Sequence, residues 1–203
     1  VPTSFTALIA AHGAPAVFLL VLLGAVPSEI VLPMAGAVAG PSPGGLVAVT
    51  AAGVAAHQAS AVFWYSVGRR VGHRRCRRWV AMHGRRFGVA PSTLDRAVAW
   101  FRRCGARAVL LSRALPVARA LVCLPAGAAR LGFRRFFAAA LLGSTAWCSL
   151  LVGIGVALAA RAPRAVAWLD RAAWAALALA ATVVLARRLR RPRRPRGQSA
   201  GER

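Results

Sequence analysis

From residue 1 to residue 68 the chain carries one formally charged side chain, Glu29. No water-facing surface can be built from such a stretch, because a soluble domain devotes about a quarter of its residues to charge. Arginines then crowd in at Arg69, Arg70, Arg74, Arg75, Arg77, Arg78, Arg85 and Arg86. Charge vanishes again from 136 to 160, returns sparsely at Arg161, Arg164, Asp170 and Arg171, and gathers in an arginine cluster after 186. Charge that gathers at the ends of apolar runs marks a chain that crosses a bilayer.

The composition excludes the other classes. Apolar residues make up 58% of the chain and charged residues 16%, so hydrophobicity is far too high for disorder. All 28 basic residues are arginine, against four acids, Glu29, Asp95, Asp170 and Glu202, for a net charge of +24. A soluble enzyme needs more acid and amide on its surface. A nucleic-acid binder would interleave its arginines with polar and aromatic residues on one face. These arginines flank spans instead, as anchors that obey the positive-inside rule, and contact with anionic lipid is compatible with that use. The expected partners are membrane lipids, not nucleic acid, and a homo-oligomer is compatible with the reading. Arginine without lysine is a codon signature of a GC-rich bacterial genome, so the expected location is a bacterial cytoplasmic membrane. No signal peptide is expected, since the start lacks a basic segment and a cleavage site.

A helix needs about 20 apolar residues to cross about 30 Å of hydrocarbon. Three segments qualify: 46–67, 136–160 and 165–186. Trp79, Trp100, Trp168 and Trp174 fall near the proposed interfaces, where indoles prefer to sit. Two further apolar segments are broken. Segment 16–40 holds Pro27, Glu29, Pro33 and Gly36; segment 106–129 holds Arg113, Pro116, Arg119, Pro125 and Gly127. Each half is long enough for about half a bilayer. A re-entrant hairpin shaped by these prolines and glycines meets the constraint, because irregular backbone at membrane depth must be buried in protein or line a wet cavity. Two kinked spanning helices are the alternative.

Leu32-Pro33-Met34-Ala35-Gly36-Ala37 is echoed by Leu124-Pro125-Ala126-Gly127-Ala128, and each echo precedes a full span. Arginines after the first span and before the second put both of those ends in the cytoplasm, so the spans run in opposite directions. The expected fold class is therefore an all-α polytopic membrane protein, with two re-entrant hairpins and about three transmembrane helices in a pseudo-inverted repeat. Residues 1–160 form the membrane domain, and 165–186 add a C-terminal transmembrane helix. Residues 187–203 are a basic, disordered, cytoplasmic tail. Between the repeats, Ser92-Thr93-Leu94-Asp95 reads as a capping box opening an interfacial helix over 92–104, with Leu94, Val98 and Phe101 on one face.

Glu29, Arg113 and Arg119 are the ions expected at membrane depth, where each costs about 2.5–3.5 kcal/mol. A carboxylate in one hairpin facing two guanidiniums in the other suits an anionic head group, with Glu29 open to protons. A structural ion pair is the bland alternative. Tyr65, Arg69 and His57 are secondary candidates: Arg69 as an anchor or ligand, His57 as a proton relay or as a polar contact beside Gln58. Cys76, Cys104, Cys123 and Cys148 lack a C-x-x-C pair, so neither a disulfide framework nor a metal site is expected. No cofactor is expected, and no hydrolase or nucleotide-binding motif is visible, so the chain reads as no enzyme.

Pro27-Ser28-Glu29-Ile30-Val31-Leu32-Pro33-Met34-Ala35-Gly36 resembles the first signature of the DedA family, also called the SNARE-associated Golgi protein or VTT-domain family. Tyr65-Ser66-Val67-Gly68-Arg69-Arg70-Val71-Gly72 is similar to its tyrosine–glycine–arginine–glycine signature. Trp100-Phe101-Arg102-Arg103-Cys104-Gly105, then Ser112-Arg113-Ala114-Leu115-Pro116-Val117-Ala118-Arg119 and Leu124-Pro125-Ala126-Gly127, resemble its most specific stretch. The resemblance covers about residues 15–158. It implies two opposed re-entrant hairpins and translocation of a lipid such as undecaprenyl phosphate or a phospholipid, with proton coupling in some members. It also implies functional roles for Glu29, Arg113 and Arg119. Many members carry a second acid in the first hairpin; here that stretch reads Phe18-Leu19-Leu20-Val21-Leu22-Leu23. A structural or regulatory membrane protein, and an importer of a small oxyanion, are the competing readings.

Overall fold

A computed structural model describes residues 5–24, 26–84, 90–113, 118–162, 164, 168–169, 171–179 and 182, apart from the side chains at 5, 83, 113 and 118–121. Among the described residues the chain is helical and has no strand. Two short helices open it, α1 (Phe5–His12) and α2 (Ala14–Leu23). Gly13 parts them with a φ of 56°, and α2 stops at Gly24 in the left-handed conformation that glycine adopts without cost. Pro27 precedes α3 (Ser28–Ala39), whose first turn carries Glu29, the favourable end of a helix for an acid. The segment expected to break does so, into helices of 10 and 12 residues.

The break falls at 24–27. Pro33 and Gly36, expected to shape the hairpin, lie inside α3 instead. Pro33 lies past the first turn of α3, so it costs the helix the N–H that would otherwise pair with the carbonyl of Glu29. The second broken segment gives α6 (Ala106–Arg113) and α7 (Ala118–Ala128), with Pro125 and Gly127 inside α7. Residues 114–117, with Pro116 among them, lie outside the described residues.

Between these pairs runs α4 (Pro43–His83), started by Pro43 and by Ser42, whose Oγ accepts from the Gly45 N–H at 3.4 Å. The expected span of 46–67 is its first part. Gly72, with φ 74° and ψ 160°, interrupts the helical dihedrals and sets off an arginine-rich arm. Helix α5 (Pro91–Cys104) buries Leu94, Val98 and Phe101, the face its periodicity required. Its capping differs from expectation: the N-cap is Ala90 and Pro91 opens the first turn, so Ser92 lies within the helix and Asp95 is released for another contact. The long apolar helix α8 (Phe133–Arg161) follows Gly132. By length and composition α4 and α8 can each cross a membrane.

The two long helices are antiparallel. Gly53 lies against Cys148, Gln58 against Phe137, and Tyr65 stacks on Phe136, so one number rises as the other falls. One core gathers at each end of this pair. The first joins Val17, Leu32 and Met34 to Cys148 and Val152, and receives Ala173 from the helical stretch 171–179. The second joins Tyr65, Phe101 and Val109 to Cys123 and Phe136. The expected span 165–186 lies partly outside the described residues, and the tail 187–203 wholly so.

Four glycines let helices meet backbone to backbone. A β-carbon on Gly36 would overlap the Val152 carbonyl oxygen, and one on Gly155 would overlap that of Pro33. The same relation recurs in the other half: Gly127 against the Tyr65 carbonyl, Gly68 against that of Leu124. Small residues let membrane helices approach to backbone contact, which Cα–H groups and carbonyls stabilise weakly. The pairing is crossed. The short helix α3 of the first half packs on the long helix α8 of the second, and α7 packs on α4.

Candidate functional site

The break at 24–27 leaves a hollow of about 240 Å³ beside the start of α3. Ser28 and Glu29 line it, and the Ser28 hydroxyl donates to Glu29 Oε2 at 3.2 Å. The opposite wall comes from α4, where His57, Ser60, Ala61 and Trp64 repeat at the spacing of one helical face. Cys123 of α7 closes another side. The hollow therefore joins three parts far apart in the chain: the first broken segment, the first long helix and the second broken segment. Its rim carries the exposed Leu22 and Trp64, apolar groups on which a hydrocarbon chain can rest.

Of the three ions expected to act together, Glu29 is in this hollow. Arg113 ends α6 and Arg119 lies in the first turn of α7; both side chains are outside the described residues. Arg119 precedes Cys123 in α7 by four residues, about one helical turn. The glycine contacts also align Pro33 and Gly36 with Leu124 and Gly127, and on that register the equivalent of Glu29 is Ala120, next to Arg119.

Tyr65 and Arg69 are not among the lining residues. Tyr65 is buried, stacks on Phe136 with centroids 4.3 Å apart, and donates its hydroxyl to the Leu131 carbonyl. Arg69 Nη1 donates to that same hydroxyl at 2.9 Å. Together they fasten the turn at Arg130, whose φ is 57°. His57 and Gln58, adjacent in sequence, part company: His57 faces the hollow while Gln58 Nε2 donates to the Phe137 carbonyl at 3.3 Å.

Ser28, Ser60, Trp64 and Cys123 were not singled out for the site. Ser60 and Trp64 follow His57 by three and seven residues, a spacing that would have flagged them had the facing helix been known. Cys123 bore no signal beyond being a thiol. The four cysteines form no disulfide, and among the described residues no three His, Cys, Asp or Glu side chains gather as a metal site would need. A second, wider hollow of about 540 Å³ lies between α4 and α8, lined by aliphatic side chains with Thr50, Thr145, Ser149 and Gly153.

Beyond Gly72 the arm of α4 meets α5 through ions. His73 Nε2 lies 2.7 Å from Asp95 Oδ1, and Arg77 Nε donates to Asp95 Oδ2 at 3.0 Å. The bonds from Arg77 and then His73 hold the Asp95 carboxyl below its ordinary range, against a small opposing effect of burial. Nearby, burial pushes the Cys76 thiol up.

Residues 26–157 match the family model of the VTT domain. Two curated relatives are called undecaprenyl phosphate transporter A. The one from Staphylococcus aureus is 31% identical over 154 residues, covering 74% of this chain and 76% of its own. The one from Bacillus subtilis is 31% identical over 133 residues, covering 66% of this chain and 65% of its own. A protein of Lactococcus lactis subsp. cremoris called alkaline phosphatase-like protein is 29% identical over 134 residues, covering 66% of this chain and 63% of its own. No solved structure gives a significant match.

Proposed function

The chain belongs to the VTT-domain family, and from that premise we propose that it carries a phosphate-bearing lipid across the bacterial cytoplasmic membrane. One observation carries this reading above all. The hollow beside Glu29 draws together both broken segments and a long apolar helix, and its rim is apolar. A lipid phosphate would enter between α2 and α4 with its tail left in hydrocarbon. Arg119, one turn from Cys123, and Arg113 would supply guanidiniums, the donors best matched to phosphate oxygens. Glu29 would compete for them, so its protonation would bias which side of the site is open. Two relatives are named for moving undecaprenyl phosphate, a phosphate monoester on a prenyl tail, and this chain is read as taking the same class of substrate. The name of the Lactococcus relative points to hydrolysis instead; transport is preferred because the hollow's rim is apolar and Glu29 is the one carboxylate among its described lining residues.

The proposed path places both broken segments as re-entrant hairpins. The antiparallel long helices and the crossed glycine contacts support an inverted repeat. Arginines 69–86 and 130–135 would face the cytoplasm, with the C-terminal tail on the same side. The test is a liposome assay with purified protein and labelled polyprenyl phosphate, comparing wild type with Arg119→Ala and Glu29→Gln. Loss of movement in variants that remain folded supports the reading, and normal movement in both removes it.

A further inference from the structure

Between Pro43 and Trp64, α4 carries one titratable side chain, His57. An imidazole at membrane depth is costly unless a polar contact or ligand offsets it. His57 lines the hollow with Glu29, so the site holds an acid and a base, with the Ser28 and Ser60 hydroxyls beside them. Among the described side chains, the other elements packed around it add little charge. Helix α2 has no titratable side chain, α3 has only Glu29, α7 presents Cys123, and α8 has no charged side chain between 136 and 160. Arg113 and Arg119 belong to α6 and α7, with side chains outside the described residues. Farther along α4, Tyr65 donates to the Leu131 carbonyl and Arg69 donates to the Tyr65 hydroxyl.

We propose that His57 makes this site selective for a phosphate monoester over a diester, by passing a proton to the bound phosphate. The proposal rests on the reading that the hollow takes a lipid phosphate. Imidazole and the second ionisation of a phosphate monoester are matched as classes of base, so a proton can pass from one to the other. Protonated His57 donates to a phosphate oxygen. As the proton passes, the N–H bond breaks and an O–H bond forms. The imidazolium becomes neutral imidazole, the dianionic monoester becomes a monoanion, and the total charge is unchanged. The new hydroxyl can then donate to the Glu29 carboxylate, which when ionised only accepts. A diester has no such hydroxyl and sets an oxyanion against the carboxylate. On release the monoanion gives its proton to water, and His57 takes another from water.

The test uses liposomes holding the full chain, with two probes: a polyprenyl monophosphate and its methyl ester, which keeps the tail and removes the titrating proton. Wild type should move the monoester at least roughly tenfold faster than the methyl ester, the scale of one charged hydrogen bond. Movement of the monoester should rise as the loading side is acidified from about pH 7.5 to 5.5. Folded His57→Gln should bring the ratio of the two esters near one and lose the acid response. A wild type that moves both esters alike overturns the proposal without any variant. So does a His57→Gln protein that keeps both the preference and the acid response. A wild type that moves neither lipid overturns the underlying reading as well, which separates the two failures.

Discussion

Gly36 lies so close to the Val152 carbonyl that no β-carbon fits between α3 and α8. The obstacle is backbone, which cannot swing aside as a side-chain end can, so the helices themselves must part. Gly36→Ala should therefore cost at least the roughly 1–3 kcal/mol of an overpacked core. Gly127→Ala should do the same at the Tyr65 carbonyl. Gly153→Ala is the control: a β-carbon there meets nothing within 4 Å, and helix propensity favours alanine by up to about 1 kcal/mol. Thermal unfolding in detergent should rank Gly153→Ala at or above wild type and the other two well below it.

Transport should separate from stability at the ions. Arg119→Ala and Glu29→Gln are expected to insert and unfold much like wild type while lipid movement falls at least roughly tenfold, since each removes a charge-assisted contact to the substrate. If Glu29→Gln instead lowers the melting temperature by many degrees and leaves transport of the surviving folded protein intact, the ion is a clasp.

Tyr65→Phe should destabilise by about 1–3 kcal/mol. It keeps the ring on Phe136 but strands the Leu131 carbonyl and removes the acceptor used by Arg69. Transport per folded molecule should be unchanged, because Tyr65 is absent from the hollow's lining. A loss of specific activity in the folded variant would place Tyr65 in the transport path.

The contact between α5 and the α4 arm should weaken in acid. Hydrogen bonds from Arg77 and His73 lower the Asp95 pKa in the folded state. Their stabilising effect is therefore full above the unfolded carboxylate value of about 3.9 and is lost as pH falls through the lower folded value. Hydrogen exchange in 91–104 should rise below about pH 4 in wild type. Asp95→Asn should show that faster exchange already at neutral pH, with no further acid step.

Much of this architecture could be read from local pattern. The empty charge map marked α4 and α8, the spacing of Leu94, Val98 and Phe101 fixed the buried face of α5, and Pro27 announced the first break. What escaped was set by partners distant in the chain. Gly68 and Gly155 have no side chain to advertise a contact, and their opposing carbonyls come from another helix. Gly36 and Gly127 read as hairpin-shaping residues, because a glycine near a proline looks the same whether the chain bends or a neighbour presses close. The capping box at Ser92 failed because Pro91 starts the helix sooner. His57 joins Glu29 only once α4 lies against the break in the first segment, a relation that no local spacing contains.

The crossed packing of short on long helices also orders events in time. Helix α3 leaves the ribosome early, yet the carbonyl of Val152 and the backbone at Gly155 that receive it are made more than half a chain later. Until then a short, broken, apolar segment must wait beside α4 without its mate, and the first half has no finished core of its own. The last long helix is in this sense a keystone: the nascent chain becomes one structure when α8 arrives, and a fragment that stops short of it leaves α3 unpaired in the membrane.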